Sequence, residues 1–221
     1  VLKVLPKKKS SNTITIHTED NKLVNELFEK ISSSSSEISG AAYIPDEPDD
    51  ESYKHNKEMI FKFNDLKFKG SFLALRIEGD KISIDEKIKV LTKELNFNNL
   101  NTSILDVHQS VPFWEKINNL ELFSETKNNL LRAVIPPSKG NELMQQLGNK
   151  YKYYIDWCGS LYWIEVGSKK NMKITEIKKL IKDLGGYLTI IKKSSEYDYE
   201  ETIFTIDDTR LLISEKIKKS F

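Results

Sequence analysis

Cysteine is almost absent from this chain, which has a single one, Cys158, among 221 residues. One thiol cannot close an internal disulfide, and chains poor in cysteine are typical of reducing compartments. Long apolar runs are missing as well, since none approaches the ~20 residues that a membrane-spanning helix needs. The sequence therefore predicts a protein without disulfides and without a transmembrane segment.

An excess of charge of one sign is also absent. The 34 Lys and Arg residues balance 33 Asp and Glu residues, which gives a net charge of +1. Nucleic-acid-binding proteins usually carry a basic excess or a basic stripe, so the charge balance argues against that class. Hydrophobic residues at 38% and charged residues at 30% are typical of a globular domain.

The common catalytic and nucleotide-binding motifs are missing too. The sequence contains no G-x-S-x-G, no G-x-x-x-x-G-K-[ST] and no G-x-G-x-x-G, so it has no phosphate-binding loop of its own. His17, His55 and His108 lack a metal-binding spacing, and Cys158 has no base nearby in sequence, so we interpret it as structural. We interpret the acidic run at 46–51 as a solvated loop.

Hydrophobic periodicity indicates the fold. Period-2 and period-3.6 segments follow one another in the order β-α-β-β-α-β twice, at about 12–107 and 130–192. This order is typical of a ferredoxin-like unit. We predict an α+β fold in which two ferredoxin-like halves form an antiparallel sheet with helices on one face.

The same pattern predicts the domain organisation. Residues 12–110 form the first half, 111–129 a connecting segment, and 130–221 the second half with a C-terminal helix. Pro112 is expected to begin a short helix in the connecting segment. The chain starts at Val1 without Met, so we expect a piece of a longer protein whose preceding domain ends within residues 1–11.

Local signals give three further predictions. Ser83 and Glu86 have the S-x-x-E spacing of a capping box, which predicts a helix start there. Gly185 and Gly186 follow a helical stripe and predict its end. The alternating segment 59–63 predicts a strand.

Arginine is rare, with only Arg76, Arg132 and Arg210 against 31 lysines. Arg76 and Arg132 each lie inside an apolar strand. A planar guanidinium binds a carboxylate through two parallel hydrogen bonds, a task that lysine performs poorly. We therefore select both as candidates for a binding site, and an ordinary surface ion pair remains the alternative.

Aromatic residues crowd one predicted hairpin. Tyr151, Tyr153 and Ile155 share one face of its first strand, and the alternation places Trp157 on the same face. Tyr162 and Trp163 lie on the second strand. Two readings remain open: cross-strand pairs that stabilise the sheet, or the wall of a pocket for a planar ligand or another domain.

A series of short motifs resembles the FAD-linked oxidases, and within them the smaller FAD-binding subunit of the bacterial glycolate oxidase (glycolate dehydrogenase) complex. The motifs follow one another in the order found in that subunit. They are K-V-L-P at 3–6, I-S-G-A-A-Y at 38–43, L-R-I-E-G at 75–79, F-W at 113–114, L-R at 131–132 with P-P at 136–137, D-W-C-G at 156–159 with Trp163, and G-G at 185–186.

The resemblance implies that this chain is the C-terminal cap, or substrate, domain of such a subunit. FAD would be bound mainly by an N-terminal domain that is missing here, and the segment alone would be inactive. The whole protein would oxidise glycolate, a small 2-hydroxy acid, to glyoxylate, pass a hydride to FAD and pass electrons onward. The implied partners are a sister flavoprotein subunit and an Fe–S subunit, in the cytoplasm or peripheral at the inner membrane through the complex.

The resemblance and the residue analysis together select five candidates for the substrate pocket. They are Arg132, Arg76, Trp157, Trp163 and Trp114. No catalytic, metal-binding or cofactor-binding residue is assigned. The sequence departs from the family at 45–70, which is longer than usual, and at Asn118, where the family often has an arginine, so any role of that arginine is not carried over.

Three functions remain open at this point. As the cap domain of an enzyme, the chain should place the arginines and the Trp157–Trp163 hairpin in a cleft facing a flavin domain. As a non-catalytic docking or electron-relay scaffold in the same complex, it should bury them or display them on a flat apolar patch. The third function is a stand-alone regulatory domain that binds a ligand.

Overall fold

The computed structural model describes residues 10–48, 61, 68, 70–96, 100–167, 174–194 and 208–220. The described strands are β1 Ser10–His17, β2 Ile38–Ile44, β3 Phe72–Gly79, β4 Asn101–Leu105, β5 Asn129–Val134, β6 Lys152–Asp156, β7 Leu161–Val166 and β8 Tyr187–Lys192. The described helices are α1 Asn21–Ser33, α2 Lys81–Glu94, α3 Val107–Asn118, α4 Gly140–Leu147, α5 Ile174–Asp183 and α6 Asp208–Lys219.

All eight strands form one open antiparallel sheet in the order β4-β1-β3-β2-β6-β7-β5-β8. Strands β1 to β4 make one unit and β5 to β8 the other, and β2 pairs with β6 where the units meet. The predicted α+β class with an antiparallel sheet is confirmed. Among the described helices, none combines the length and hydropathy that crossing a membrane requires.

Four helices cover one face of the sheet. Alternate strand residues such as Ile14, Ile16 and Leu75 point to this face and are buried there. The helices α1, α2, α4 and α5 contribute apolar stripes at helical spacing to the same core. The stripes comprise Val24, Leu27, Phe28 and Ile31 from α1, Ile84 and Leu91 from α2, Leu143, Met144 and Leu147 from α4, and Ile174, Ile177 and Ile181 from α5.

The helix α3 lies on the opposite face, so the prediction that all helices share one face is wrong. Phe113 and Trp114 of α3 are buried in a second core with Phe72, Ala74 and Ala42 from the sheet. Strands β2 and β3 are apolar on both faces, which requires a cover on each side. The connecting segment provides the second cover.

The start of α3 differs from the prediction because an earlier cap is present. Asp106 accepts hydrogen bonds from the His108 and Gln109 amides, and the Gln109 side chain accepts from the Asp106 amide, which completes a capping box. Pro112 consequently lies inside the helix and does not begin it. The predicted boundary between residues 110 and 111 falls within α3.

Two other local predictions have different outcomes. The capping box at Ser83 is wrong, because Asp80 is the N-cap of α2 and its carboxylate accepts from the Ser83 amide at 3.0 Å. The strand predicted at 59–63 lies outside the described residues apart from Phe61, which is buried. Residues 1–9, assigned to a preceding domain, also lie outside them, and residues 10 and 11 belong to β1.

The helix end predicted at Gly185 and Gly186 is confirmed. The Gly185 amide donates to the Lys182 carbonyl at 2.9 Å and the Gly186 amide to the Ile181 carbonyl at 2.8 Å, with Gly185 at φ 78°. These two bonds are those of a Schellman motif. Gly186 also lies against β5, where a Cβ would come within 2.4 Å of the Val134 carbonyl oxygen.

We expect Gly186→Ala to lower the free energy of unfolding by about 1 to 3 kcal/mol, because the backbone of β5 must move to admit the methyl group. Urea unfolding measures the change. Gly79→Ala is the control, since its Cβ would meet the rotatable Ser83 hydroxyl at 3.3 Å. Equal stability of the two variants would contradict the close approach at Gly186.

Candidate functional site

Arg132 lies in β5 on the sheet face opposite the four helices, where only part of the sheet is covered. Its guanidinium carbon stands 5.2 Å from the centre of the Trp157 ring, within cation–π distance. Within the described residues, the half-buried Arg132 makes no hydrogen bond and no ion pair. The alternative of an ordinary ion pair therefore fails for the part of the chain that the structure describes, and the guanidinium donors are available for an anion.

Trp157 is presented by a strained turn between β6 and β7. Trp157 and Cys158 have φ of 50° and 51°, in the left-handed region that side chains avoid, and Gly159 follows at 88°. The Asp156 carboxylate accepts from the Trp157 amide at 2.7 Å and fixes the first turn residue. The turn breaks the strand alternation, so the prediction that Trp157 shares the face of Tyr153 is wrong, and the ring is 57% exposed beside Arg132.

Arg76 and Trp114 form a second, more enclosed pair. The Arg76 guanidinium carbon lies 5.0 Å from the Trp114 ring centre. Arg76 donates from Nε to the Ser39 hydroxyl at 3.1 Å and from Nη2 to the Ser39 carbonyl at 3.0 Å. Because these bonds hold the guanidinium, Arg76 is a structural clamp between β3 and β2 as well as a site candidate.

Trp114 is buried under this clamp. Only 4% of its surface is exposed, and its indole Nε1 donates to the Thr13 hydroxyl at 2.8 Å. The Thr13 hydroxyl is also bonded to the Ser110 hydroxyl at 2.7 Å, and Ser110 to Ser11 at 3.0 Å. This network fixes α3 against β1 and thereby holds the Trp114 ring in place under the Arg76 guanidinium.

Gly40 makes the stack of Arg76 on Trp114 possible, and sequence reasoning missed it as a site residue. A Cβ at this position would lie 3.2 Å from the Trp114 ring and 3.3 Å from the Arg76 Nε. A glycine inside a strand marks a place where another group approaches closely. The sequence therefore indicated that some group approaches the backbone at residue 40, but it did not indicate that the group is the Trp114 ring under Arg76.

Asp156 interacts with a residue of each arginine pair, electrostatically with Arg76 and by a hydrogen bond with the Trp157 amide. Burial raises the pKa of its carboxyl group, while the hydrogen bond from the Trp157 amide and the positive charge of Arg76 lower it. The charge of Arg76 thus acts on the Asp156 carboxyl group. The same carboxyl group also holds the turn that places Trp157 over Arg132.

The aromatic hairpin divides into two sets. Tyr153, Tyr154 and Tyr162 are buried, and the rings of Tyr153 and Tyr162 stack at 6.4 Å, so for the tyrosines the packing alternative holds. Trp163 is half-buried and stands opposite both Arg132 and Tyr154 in the sheet register. Arg132, Trp157 and Trp163 therefore share one partly open surface.

The remaining candidate chemistry is weak. Burial raises the pKa of the Cys158 thiol, which the nearby Ser32 side chain only partly offsets, so the thiol is not an activated nucleophile. In the described ranges, no group of three His, Cys, Asp or Glu residues could hold a metal ion. The side chain of Arg210 lies outside the described residues.

Comparisons with known proteins add no assignment: no protein-family model and no curated protein matches this chain.

We expect Asp156→Asn to change how stability depends on pH. Because burial raises the carboxyl pKa in the folded state, the folded chain binds this proton more tightly than the unfolded chain does. The wild-type free energy of unfolding should therefore fall as pH rises from the ordinary aspartate pKa through the raised one. The asparagine variant should lack this component of the fall.

Urea unfolding at a series of pH values measures the effect. Arg76→Gln is the matched variant, because removing the positive charge should push the Asp156 pKa higher and extend the falling limb to higher pH. Parallel curves for wild type and Asp156→Asn at every pH would rule out the electrostatic role of Asp156.

Proposed function

We propose that this chain is the cap domain of an FAD-dependent oxidoreductase that acts on a small 2-hydroxy acid such as glycolate. The observation that carries the proposal is the half-buried Arg132 guanidinium, which is stacked on Trp157 and bonded to no group within the described residues. A fixed, unpaired guanidinium on an open surface is suited to bind a carboxylate. The ordered motif series points to the same class.

Arg132 would hold the substrate carboxylate by two parallel hydrogen bonds. Trp157 keeps the guanidinium plane in place from one side, and Trp163 lies across from it in the register. The two indoles leave an apolar wall against which the small carbon skeleton of the acid can pack. In this arrangement the charge would fix the acid end of the substrate and leave its hydroxyl-bearing carbon uncovered by this pair of side chains.

The residues on the Arg132 surface are suited to contact the flavin ring of FAD and are not suited to bind its phosphates. The open surface offers planar Trp157 and the Arg132 charge, but the chain carries no glycine-rich phosphate motif. We therefore assign the pyrophosphate of FAD to another domain of the full protein. When bound there, FAD supplies the acceptor for the hydride that leaves the substrate, and the residues of this chain bind and orient the acid.

A docking scaffold is the second candidate, and the exposed aromatic surface favours it. Trp157 is 57% exposed and Tyr187 43% exposed, and Tyr187 stands beside Val134 in the register of β8 with β5. Exposed aromatic residues next to an arginine are enriched at the centres of protein interfaces. In this case a sister subunit or the Fe–S subunit would cover the same surface.

The proposed family also requires a particular fold of each unit. We infer that both units are ferredoxin-like, because each has the element order β-α-β-β-α-β and an antiparallel strand order in which the first and third strands are central. The coding sequence on either side of this segment tests the assignment. An FAD-binding domain in the same reading frame supports it, and its absence overturns it.

We expect Arg132→Lys in the full protein with its partner subunits to lower kcat/KM for glycolate by more than about ten-fold, or about 1.4 kcal/mol. Lysine keeps the charge and loses the two-pronged geometry. The thermal stability of this chain should hardly change, because the Arg132 guanidinium makes no hydrogen bond to the described residues that the substitution could remove. Steady-state kinetics and thermal melting provide the two measurements.

Arg132→Ala extends the test. If the guanidinium binds the acid, added guanidinium ion should restore part of the activity of Arg132→Ala but none to Arg132→Lys. If Arg132 only docks a partner, both variants should weaken subunit association while kcat/KM per assembled complex stays normal. That second result would replace the enzyme-cap proposal with the scaffold.

A further inference from the structure

Lys152, the first residue of β6, is buried on the sheet face that carries the second core. It is only 4% exposed, and its ammonium lies 5.8 Å from the centre of the Phe123 ring. Within the described part of the chain, its Nζ makes no hydrogen bond. A buried ammonium without such a bond is costly, so packing alone does not account for a lysine at this position.

Glu165 stands directly opposite Lys152 in the register of β6 with β7 and is 1% exposed. Its Oε1 accepts hydrogen bonds from the Thr126 hydroxyl and from the Asn128 side-chain amide. Its Oε2 has no hydrogen-bond partner among the described residues. The two side chains therefore attract each other electrostatically and make no hydrogen bond to each other, so the lysine nitrogen and one carboxylate oxygen are both left unbonded.

A small pocket adjoins Lys152 at the end of β2. Its volume of about 10 Å³ is room for about one water-sized group. The exposed Asp46 lines the pocket, which therefore reaches the surface. Glu47 and Phe123, which both act on the Lys152 ammonium, line it as well. Most of the remaining wall is apolar and comes from Ile44, Pro45 and Leu122.

These surroundings favour the uncharged form of the lysine. Burial lowers the pKa of Lys152, and the charges of Glu165 and Glu47 offset this only in part. A neutral amine has the free electron pair that a nucleophile needs, and desolvation beside an apolar pocket is how proteins activate lysine toward carbonyl compounds. Lys192 differs, because its ammonium donates to the Thr126 carbonyl and is held by that bond.

We propose that Lys152 is the nucleophile of a site that takes up small, uncharged aldehydes as covalent imines. The Nζ electron pair attacks the carbonyl carbon and forms a C–N bond, while the π electrons of the carbonyl move to its oxygen. The two protons of the amine pass to that oxygen, the C–O bond breaks, and water leaves behind a C=N bond. The exchange of aldehyde and amine for imine and water needs no oxidant and no reductant.

The pocket would select the aldehyde by size and by charge. Its volume admits the carbonyl end of a small molecule and excludes a branched carbon next to the carbonyl. The carboxylates of Glu165 and Glu47 disfavour an aldehyde that is itself an acid, and the unbonded Oε2 of Glu165 can hold a proton that the nitrogen releases. Neither Arg132 nor a flavin takes part, so this inference does not depend on the proposed function.

Reductive trapping tests the proposal. The chain is incubated at neutral pH with acetaldehyde and cyanoborohydride, which reduces an imine to a stable secondary amine, and peptide mass spectrometry then locates the label. The internal control is Lys89, which is exposed and has a pKa raised by its hydrogen bond to Glu86. We expect Lys152 to be labelled at least about five-fold faster than Lys89, since one unit of pKa changes the neutral fraction about ten-fold.

A second aldehyde tests the role of the pocket. Pivaldehyde carries three methyl groups beside its carbonyl and should label Lys89 while leaving Lys152 unlabelled. Labelling of Lys152 by pivaldehyde as fast as by acetaldehyde would show that the pocket does not select the aldehyde. Labelling of Lys152 no faster than Lys89 by acetaldehyde would refute the site outright.

Variants complete the test. Lys152→Met should abolish the fast label and should melt at the same temperature or higher, because an apolar side chain replaces a buried amine without a hydrogen bond. Lys89→Met is the matched control and should keep the fast label. A fast label that persists in Lys152→Met would place the reactive amine elsewhere. If Lys152→Met does not fold, the competition between Lys152 and Lys89 in the wild-type chain decides the question.

Discussion

The antiparallel pairing of β2 with β6 is the contact that joins the two units of the sheet and on which the candidate site depends. It joins the edge strand of one four-stranded unit to the edge strand of the other, with Tyr43 opposite Ile155. Unpaired strand edges are exposed hydrogen-bonding surfaces, so this pairing covers part of both edges. The pairing also brings Asp156 of β6 close enough to Arg76 of β3 for the positive charge of Arg76 to lower the Asp156 pKa.

The turn after β6 shows how the sheet holds a costly conformation. Left-handed backbone costs roughly 1 to 2 kcal/mol for each residue with a side chain, and Trp157 and Cys158 both adopt it. The bond from the Trp157 amide to Asp156 and the packed tyrosines of β6 and β7 hold the turn. The result is a large indole fixed at the surface over a guanidinium, a geometry that a relaxed hairpin would not present.

The sequence predicted the elements whose hydrophobic residues follow a single clear period. It failed where a contact between distant elements determines the position of a helix or a side chain. The order of elements in the two units follows from clear alternation of apolar and polar residues. The position of α3 was missed because Phe72 and Ala74 are apolar on the second face, which periodicity of a single face does not reveal. The direction of Trp157 was missed because a left-handed turn cancels the alternation that predicted it.

The two arginines have different roles because α3 covers only one part of the sheet. Over the first unit, Trp114 lies beneath Arg76, and Ser39 takes up two of its donors, so that guanidinium is committed to the fold. Over the second unit no described helix takes the equivalent place, and among the described residues Arg132 contacts the Trp157 ring and makes no hydrogen bond. The uneven cover therefore commits the first guanidinium to packing within its own unit and leaves the Arg132 surface of the second unit partly open.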